Sequence, residues 1–182
     1  MRPSPVTVRR ATPADAAAIA RLHVATWRAG YRGIMADAFL DSIDGDERAQ
    51  RWRLLLEDDE NPARTLIASD GDRLLGFGTV GSSHDDDVPA GEGELRALYV
   101  DSAAWRSGVG SVLHAACLAG LRRQGCTHAS LWVLEANDRA RGFYQALGWV
   151  ADGACRPHTF AADQPPLPVV RYRRPLGTGA HT

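Results

Sequence analysis

A turn with two glycines is the first part of this chain that could do chemistry. The strand-like run 94–100 leads into the turn, which has glycine at positions 108 and 110, and a helical pattern then continues to Arg123. The first amides of a helix have no partner within it and lie at the positive end of the helix dipole. Glycine lets an anion approach these amides closely. The pattern predicts an anion site suited to a pyrophosphate.

Two common nucleotide-binding motifs do not fit this turn. A dinucleotide fingerprint needs a third glycine where Leu113 stands, and a P-loop needs a lysine, which the chain lacks. A glycine turn can also serve only to pack a strand tightly against a helix. The turn alone therefore leaves two roles open, an anion site and a packing turn.

A second motif lies about thirty residues further on, at residues 137–149, and reads Asn-Asp-Arg-Ala-Arg-Gly-Phe-Tyr-Gln-Ala-Leu-Gly-Trp. Together with residues 94–100 and 106–110, this motif resembles the GNAT superfamily of N-acetyltransferases. The resemblance runs from about Val6 to Arg174, nearly the whole chain. The family's turn often begins with glutamine or arginine, where this chain has Trp105.

The resemblance implies a cofactor and the residues that hold it. In GNAT proteins acetyl-coenzyme A (acetyl-CoA) inserts between two strands that splay apart, here at 95–100 and 128–134. The backbone of Leu98 and Val100 would bind the pantetheine arm and polarise the thioester carbonyl. The full set of implied cofactor-binding residues is Leu98, Tyr99, Val100, Arg106, Ser107, Gly108, Val109, Gly110, Ser111, Asn137, Ala140 and Phe143.

The resemblance also implies two catalytic residues. Tyr144 matches the tyrosine that protonates the departing coenzyme A thiolate, and a phenol is a reasonable general acid; the alternative is a core aromatic residue. An alkylammonium acceptor must lose a proton before it attacks, and Glu94 is the best candidate base, with Glu92 next. The alternative for Glu94 is a solvated carboxylate at a strand end. We expect direct attack in a ternary complex, with Cys117 structural rather than nucleophilic.

Acceptor-binding residues implied by the resemblance are Trp27, Tyr31 and Glu92. Residues 82–94 hold five carboxylates and no arginine, which favours a cationic amine: a small amine, an antibiotic or a peptide N-terminus. Trp27 also fits the apolar stripe of its helix, where it would be a core residue. His84 stands beside three aspartates, but an ordinary solvated loop is expected there and no metal site.

The elements that position these residues follow from periodicity and turn signals. They predict a single α/β domain over residues 1–176, with a mixed, mostly antiparallel sheet of about seven strands that splays between strands 4 and 5 and has helices on both faces. A flexible tail is expected at 177–182. The predicted strands are 6–10, 65–69, 73–80, 94–100, 128–134, one beginning at 149–151, and 169–174. The predicted helices are one from Pro13 to Gly30, then 36–43, 46–57, 108–123 and 138–147.

Composition limits the class of protein. The chain has 182 residues, 45% hydrophobic and 24% charged, which is typical of one soluble globular domain. Its net charge of −1 argues against a nucleic-acid partner. No apolar run is long enough for a membrane span, residues 1–5 do not resemble a signal peptide, and the three cysteines form no disulfide or zinc pattern, so we expect a cytoplasmic protein with no membrane partner.

Two questions stay open at this point. Fold alone does not establish activity, so the alternative to an N-acetyltransferase is a non-catalytic acyl-CoA sensor or interaction module with the same fold. A homodimer through the last strand or helix is a family expectation only.

Overall fold

The computed structural model describes residues 6–161 and 164–177. Most of the predicted tail, residues 178–182, lies outside this part of the chain, as do residues 1–5. The described strands are β1 (Thr7–Arg10), β2 (Arg64–Asp70), β3 (Arg73–Ser82), β4 (Gly93–Val100), β5 (His128–Leu134), β6 (Val150–His158) and β7 (Leu167–Pro175). The described α-helices are α1 (Ala16–Gly30), α2 (Asp37–Ser42), α3 (Gly45–Glu57), α4 (Val109–Arg123) and α5 (Asp138–Ala146).

The seven described strands form one sheet in the order β1-β2-β3-β4-β5-β7-β6. All neighbouring strands are antiparallel except β4 and β5, which run parallel. The β4–β5 pair is short, because only Gly93 with Ala129 and Glu94 with Ser130 are in register. Beyond Glu94 the two strands separate. The predicted mixed sheet, with its splay between strands 4 and 5, is confirmed.

Helices cover both faces of the sheet because its strands are apolar on both sides. Phe77 of β3 packs with Ile19 of α1, and Val80, three residues later and so on the other face, packs with Leu118 and Leu121 of α4. The approach of α4 is close: a Cβ at Gly78 would lie 2.7 Å from the sulfur of Cys117. Glycine at this position therefore sets the distance between α4 and β3.

A β-bulge in β4 changes the direction of its side chains. Leu95 pairs with Val80 and Ala97 pairs with Thr79, which leaves Arg96 as the extra residue. In a regular strand Leu95 and Tyr99 would share a face. Here Leu95 packs on the α4 side, whereas Tyr99 packs on the α1 side. The bulge thus directs the second half of β4 differently from its first half.

The β3–β4 loop, residues 83–92, joins the two halves of the sheet at the closed end of the splay. Asp85 accepts a hydrogen bond from the Trp132 indole at 2.9 Å and pairs with Arg171 of β7 at 3.3 Å. Arg171 also binds Asp87 at 2.6 Å. The side chains of Arg171 and Asp85 are each only 6% exposed. A largely buried set of charges therefore fixes this loop to β5 and β7.

The last strand does not provide a free edge for a dimer. Strand β7 lies between β5 and β6 and pairs with both, so a second copy could not extend the sheet through it.

Among the described residues, no helix has both the length and the apolar character to cross a membrane.

Candidate active site

A cavity of about 1110 Å³ occupies the gap between β4 and β5. Its walls come from α1, β4, the turn before α4, the start of α4, β5, α5, β6 with the residues after it, and β7. The structure brings most of the predicted site residues to this one cavity: Trp27, Tyr31, Glu94, Leu98, Tyr99, Val100, Arg106, Gly108, Gly110, Ser111, Asn137, Ala140, Phe143 and Tyr144. Since β4 pairs with β5 only as far as Glu94, the backbone of the rest of β4 borders the cavity without a partner strand on that side.

The glycine turn has the backbone conformation expected of an anion site. Gly108 is the N-terminal cap of α4 and has a φ of 89°, which strains any other residue, and Arg106 has a φ of 62°. No side chain caps this end of α4, so its first amides are free to bind a ligand. Gly110 also lines the cavity, and a Cβ there would lie 3.3 Å from Phe143, so glycine at this position makes room for that ring as well.

Trp105 stands where the family's turn often has glutamine or arginine, and it makes two contacts. Its indole nitrogen donates to the carbonyl of Val100 at 2.8 Å. The guanidinium of Arg139, from the first turn of α5, lies 3.6 Å from the centre of its ring. Arg139 lines the cavity and forms no ion pair with a described carboxylate. The positive charge of Arg139 therefore lies next to the turn, although the first residue of the turn, Trp105, carries no charge.

Asn137 caps α5 and lines the cavity at the same time. Its side-chain oxygen accepts a hydrogen bond from the amide of Ala140 at 3.1 Å, and the residue is 8% exposed. Its other side-chain atoms remain available to a ligand. Capping α5 and binding a cofactor, as the resemblance implies, are thus compatible in one geometry.

Tyr144 reaches the cavity from the middle of α5. Its ring packs against Phe143 and Trp149, with centroids 5.4 and 6.1 Å away. Burial raises the pKa of its hydroxyl above the ordinary value of 10.0, so the phenol keeps its proton at neutral pH. No other described residue hydrogen-bonds to this hydroxyl. The group is therefore a protonated donor without a protein partner, as a general acid requires.

Glu94 lies at the point where β4 and β5 separate. Burial raises the pKa of its carboxyl above 4.5, while nearby Arg96 opposes that shift. The closest Glu94–Arg96 contact is an ion pair of 3.6 Å, longer than a hydrogen bond. A partly desolvated carboxylate of this kind is a stronger base than one in water.

Cys117 does not have the environment of a nucleophile. It is fully buried on α4, and burial raises the pKa of its thiol to about 12. The reactive form of a cysteine is its thiolate, which is therefore almost absent at neutral pH.

Aromatic rings form the wall opposite α5. Trp27 is 6% exposed and contacts Tyr31 and Phe160 edge-on, with ring centroids 5.4 and 5.7 Å away. His23 accepts a hydrogen bond from the Trp52 indole on Nδ1, and burial lowers the pKa of His23 to about 3. Trp27 is thus both a core residue and part of the cavity wall.

Three predicted residues do not line the cavity. Ser107 bonds back to the carbonyl of Ala104 at 2.6 Å, and Val109 is buried in the core. Glu92 is buried and accepts a hydrogen bond from Arg173 at 3.0 Å. Glu92 therefore holds β7 in place and is not positioned to bind an acceptor.

Of the five carboxylates at residues 82–94 that favoured a cationic amine, only that of Glu94 lines the cavity. Asp85, Asp87 and Glu92 are all neutralised by arginines of β6 and β7. Among the described residues, no group of three or more metal-ligating side chains comes together, and His84 accepts a hydrogen bond from Arg96 Nη2 at 2.6 Å.

Sequence reasoning missed several lining residues, among them Arg96, Trp132, Arg139, Arg156, His158 and Phe160. Arg139 could have been found, because it lies one helical turn before Phe143 on α5. The residues from β6 carried no signal, since the β6 pattern is interrupted by Gly153 and Pro157.

Comparisons with known proteins agree with this geometry. A sequence model described as the acetyltransferase (GNAT) family matches residues 19–149. A probable N-acetyltransferase of Mycobacterium tuberculosis is 30% identical over 84% of each chain. An aminoglycoside N(6')-acetyltransferase type 1 of Stenotrophomonas maltophilia is 34% identical, over 79% of this chain and 85% of its own.

A solved structure shares the fold. The PaiA N-acetyltransferase from Thermoplasma acidophilum, described in complex with coenzyme A, has a TM-score of 0.72 over 94% of this chain and 99% of its own, at 17% identity. The full-length relatives are named as N-acetyltransferases, which supports the predicted enzyme class. This chain therefore belongs to the acetyltransferase (GNAT) family.

Proposed function

We propose that this protein transfers an acetyl group from acetyl-CoA to a primary amine of a small molecule, by direct attack in a ternary complex. The observation that carries the proposal is the single cavity that contains the unpaired edge of β4, the free amides of the glycine turn and the hydroxyl of Tyr144. Acetyl-CoA supplies the activated thioester, and the described residues bind it, orient it and move protons.

The cavity has the groups that acetyl-CoA requires. The amides at the start of α4, together with Arg106 and Arg139, match the negative charge of a pyrophosphate. The β4 edge beyond Glu94 offers peptide groups to the amides of the pantetheine arm, as an added strand would. Space at the turn is open, because a Cβ at Gly108 would meet no atom within 4 Å.

Two residues are placed to move protons during the transfer. Glu94 takes a proton from the acceptor ammonium, so the amine nitrogen gains the lone pair that forms the new N–C bond. Tyr144 donates its hydroxyl proton to the sulfur as the C–S bond breaks. The buried, unreactive Cys117 supports direct transfer over an acetyl-cysteine route.

A small-molecule acceptor is supported by the names of the relatives. One is an aminoglycoside acetyltransferase, and another, 38% identical over 49% of this chain, is a mycothiol acetyltransferase of Geodermatophilus obscurus. A peptide N-terminus is the wider alternative, since the cavity is open to the surface.

The test measures binding and turnover separately. Calorimetry with acetyl-CoA should show binding, and a panel of amines should release free thiol. Binding with no turnover on any amine would contradict an enzyme and favour an acyl-CoA sensor. No binding would contradict the cofactor assignment as well.

Two glycines provide a matched pair of variants for the cofactor site. Gly108 and Gly125 have almost the same backbone, with φ of 89° and 86°, and both have open space at the Cβ position. Alanine should strain each turn equally. Only Gly108→Ala should weaken acetyl-CoA binding, by about tenfold, because Gly125 follows the other end of α4. If the two variants bound acetyl-CoA with equal affinity, the glycine turn would not be part of the cofactor site.

A further inference from the structure

The charge of the cavity wall is unusual for an enzyme that acts on cations. Four arginines line the cavity, namely Arg96, Arg106, Arg139 and Arg156. Among the described lining residues, only Glu94 carries a carboxylate. A wall with this composition repels a polycation and attracts an anion.

Two of these arginines belong to the cofactor end and two to the acceptor end. Arg106 is part of the glycine turn, and Arg139 lies over Trp105 next to it. Arg96 instead pairs with Glu94, and the positive charge of Arg156 is near enough to Glu94 to oppose the rise in its pKa. The candidate base therefore has two cationic neighbours on the acceptor side.

Arg96 is already occupied by the protein. Its Nη2 donates to the carbonyl of Ser82 at 2.7 Å and to His84 at 2.6 Å. Its guanidinium also lies against the backbone of Gly81, where a Cβ would be 2.9 Å away. Arg96 is thus a fixed charge, and its side chain is only 24% exposed, against 48% for Arg156.

Arg156 is held in place but keeps free donors. Its guanidinium lies over the ring of Trp132, 4.0 Å from the centroid, and Nη1 donates to Asp85 at 2.9 Å. Asp85 is fixed in turn by Trp132 and Arg171. A guanidinium has five N–H donors in one plane, and no described residue other than Asp85 binds those of Arg156. The side chain is 48% exposed and borders the cavity.

Aromatic groups surround this end of the cavity. Phe160 contacts both Trp27 and His158, with ring centroids 5.7 and 4.5 Å away. Burial lowers the pKa of His158 below 6.5, so its ring is neutral at pH 7 and adds no charge. These rings favour a flat or apolar group between the amine and any charged group of the acceptor.

We propose that the acceptor is an amine that also carries a carboxylate, of the amino-acid type with an aromatic side chain, and that Arg156 binds this carboxylate. The proposal rests on the proposed acetyl transfer and specifies its substrate class. A planar guanidinium with free donors pairs with a carboxylate through two parallel hydrogen bonds. Glu94 then faces the amine of the same molecule. The extra charges of a polycation would find no carboxylate besides Glu94 among the described residues of this wall.

The experiment compares amines that differ only in the carboxylate. Tryptophan with tryptamine, and phenylalanine with phenethylamine, are such pairs, and kanamycin represents a polycation. We expect kcat/KM to be at least tenfold higher for the amino acid of at least one pair than for its decarboxylated partner and for kanamycin. Equal values within both pairs, or preference for kanamycin, would overturn the proposal and leave the acetyl transfer intact. No turnover with any amine would overturn both.

Variants of Arg156 test the residue itself. Arg156→Gln should lower kcat/KM for the amino acid at least tenfold and leave that for its decarboxylated partner within threefold. Arg51→Gln, on the exposed surface of α3, is the matched control and should change neither. As a readout independent of turnover, indole-3-propionate should bind the wild-type protein and bind Arg156→Gln at least tenfold more weakly. Equal binding to a variant with an unchanged melting curve would refute the role of Arg156.

Discussion

Replacing Tyr144 with phenylalanine isolates the proton that this residue would donate. The substitution removes one oxygen and keeps the ring that packs against Phe143 and Trp149. Because no other described residue hydrogen-bonds to the hydroxyl, its loss leaves no protein group without a partner. We expect the free energy of unfolding to change by less than about 0.5 kcal/mol.

The expected kinetic effect is much larger than the effect on stability. A positioned general acid contributes roughly 10²- to 10⁴-fold, which corresponds to about 3 to 5 kcal/mol of transition-state stabilisation. Turnover by Tyr144→Phe should therefore fall by well over tenfold. The affinity for acetyl-CoA should change little, because the hydroxyl acts on the sulfur only as the C–S bond breaks.

The assay pairs thiol release with calorimetry and a control tyrosine. Tyr172 is fully buried, and its hydroxyl is hydrogen-bonded by Arg141 and Gln145, at 3.2 Å each. Tyr172→Phe should cost about 1 kcal/mol of stability and keep normal turnover. If Tyr144→Phe turns over within threefold of the wild type, Tyr144 is a packing residue and the acid is another group.

Three further predictions concern other parts of the protein. Glu94→Gln should lower kcat/KM at neutral pH by about tenfold or more. Because a base must be ionised, the activity of the wild type should fall as the pH drops through the raised pKa of Glu94. If the variant showed the same fall at low pH, Glu94 would not be the base. Arg171→Met should destabilise the fold by about 3 kcal/mol, because it removes the buried cation that pairs with Asp85, Asp87 and Asp152 together, and urea unfolding measures this. Cys117→Ala should retain turnover, and alkylation of the native protein should modify the exposed Cys155 first; loss of the acetyl transfer in Cys117→Ala without unfolding would instead indicate a covalent route.

Local patterns were enough to predict most of the fold. Strand β5 was predicted with the bounds that it has, and the other strands and helices differ mainly at their ends. The exception is β6, which extends to His158 although only its start was predicted. A wide irregularity at 152–154 with Gly153 at a φ of 90° interrupts its alternation, so periodicity alone could not follow it.

The two ends of the site differed in how far the sequence could predict them. The cofactor end is built from two continuous segments, 94–111 and 137–144, so its residues could be named from local motifs. The acceptor end combines α1, β4, β5 and β6, which come together only through the pairing of distant strands. The surroundings of the carboxylates close in sequence to Glu94 could not be predicted, because these carboxylates are neutralised by arginines about seventy to ninety residues away.

The ion pairs of the β3–β4 loop have a consequence for how this enzyme could diversify. One of them, the pair of Glu92 with Arg173, joins the loop to β7 at the closed end of the splay, and neither residue lines the cavity. A substitution there would widen or narrow the groove while every binding side chain stayed the same. Acceptor preference could therefore shift during evolution, or in a selection experiment, through changes on the back of the molecule.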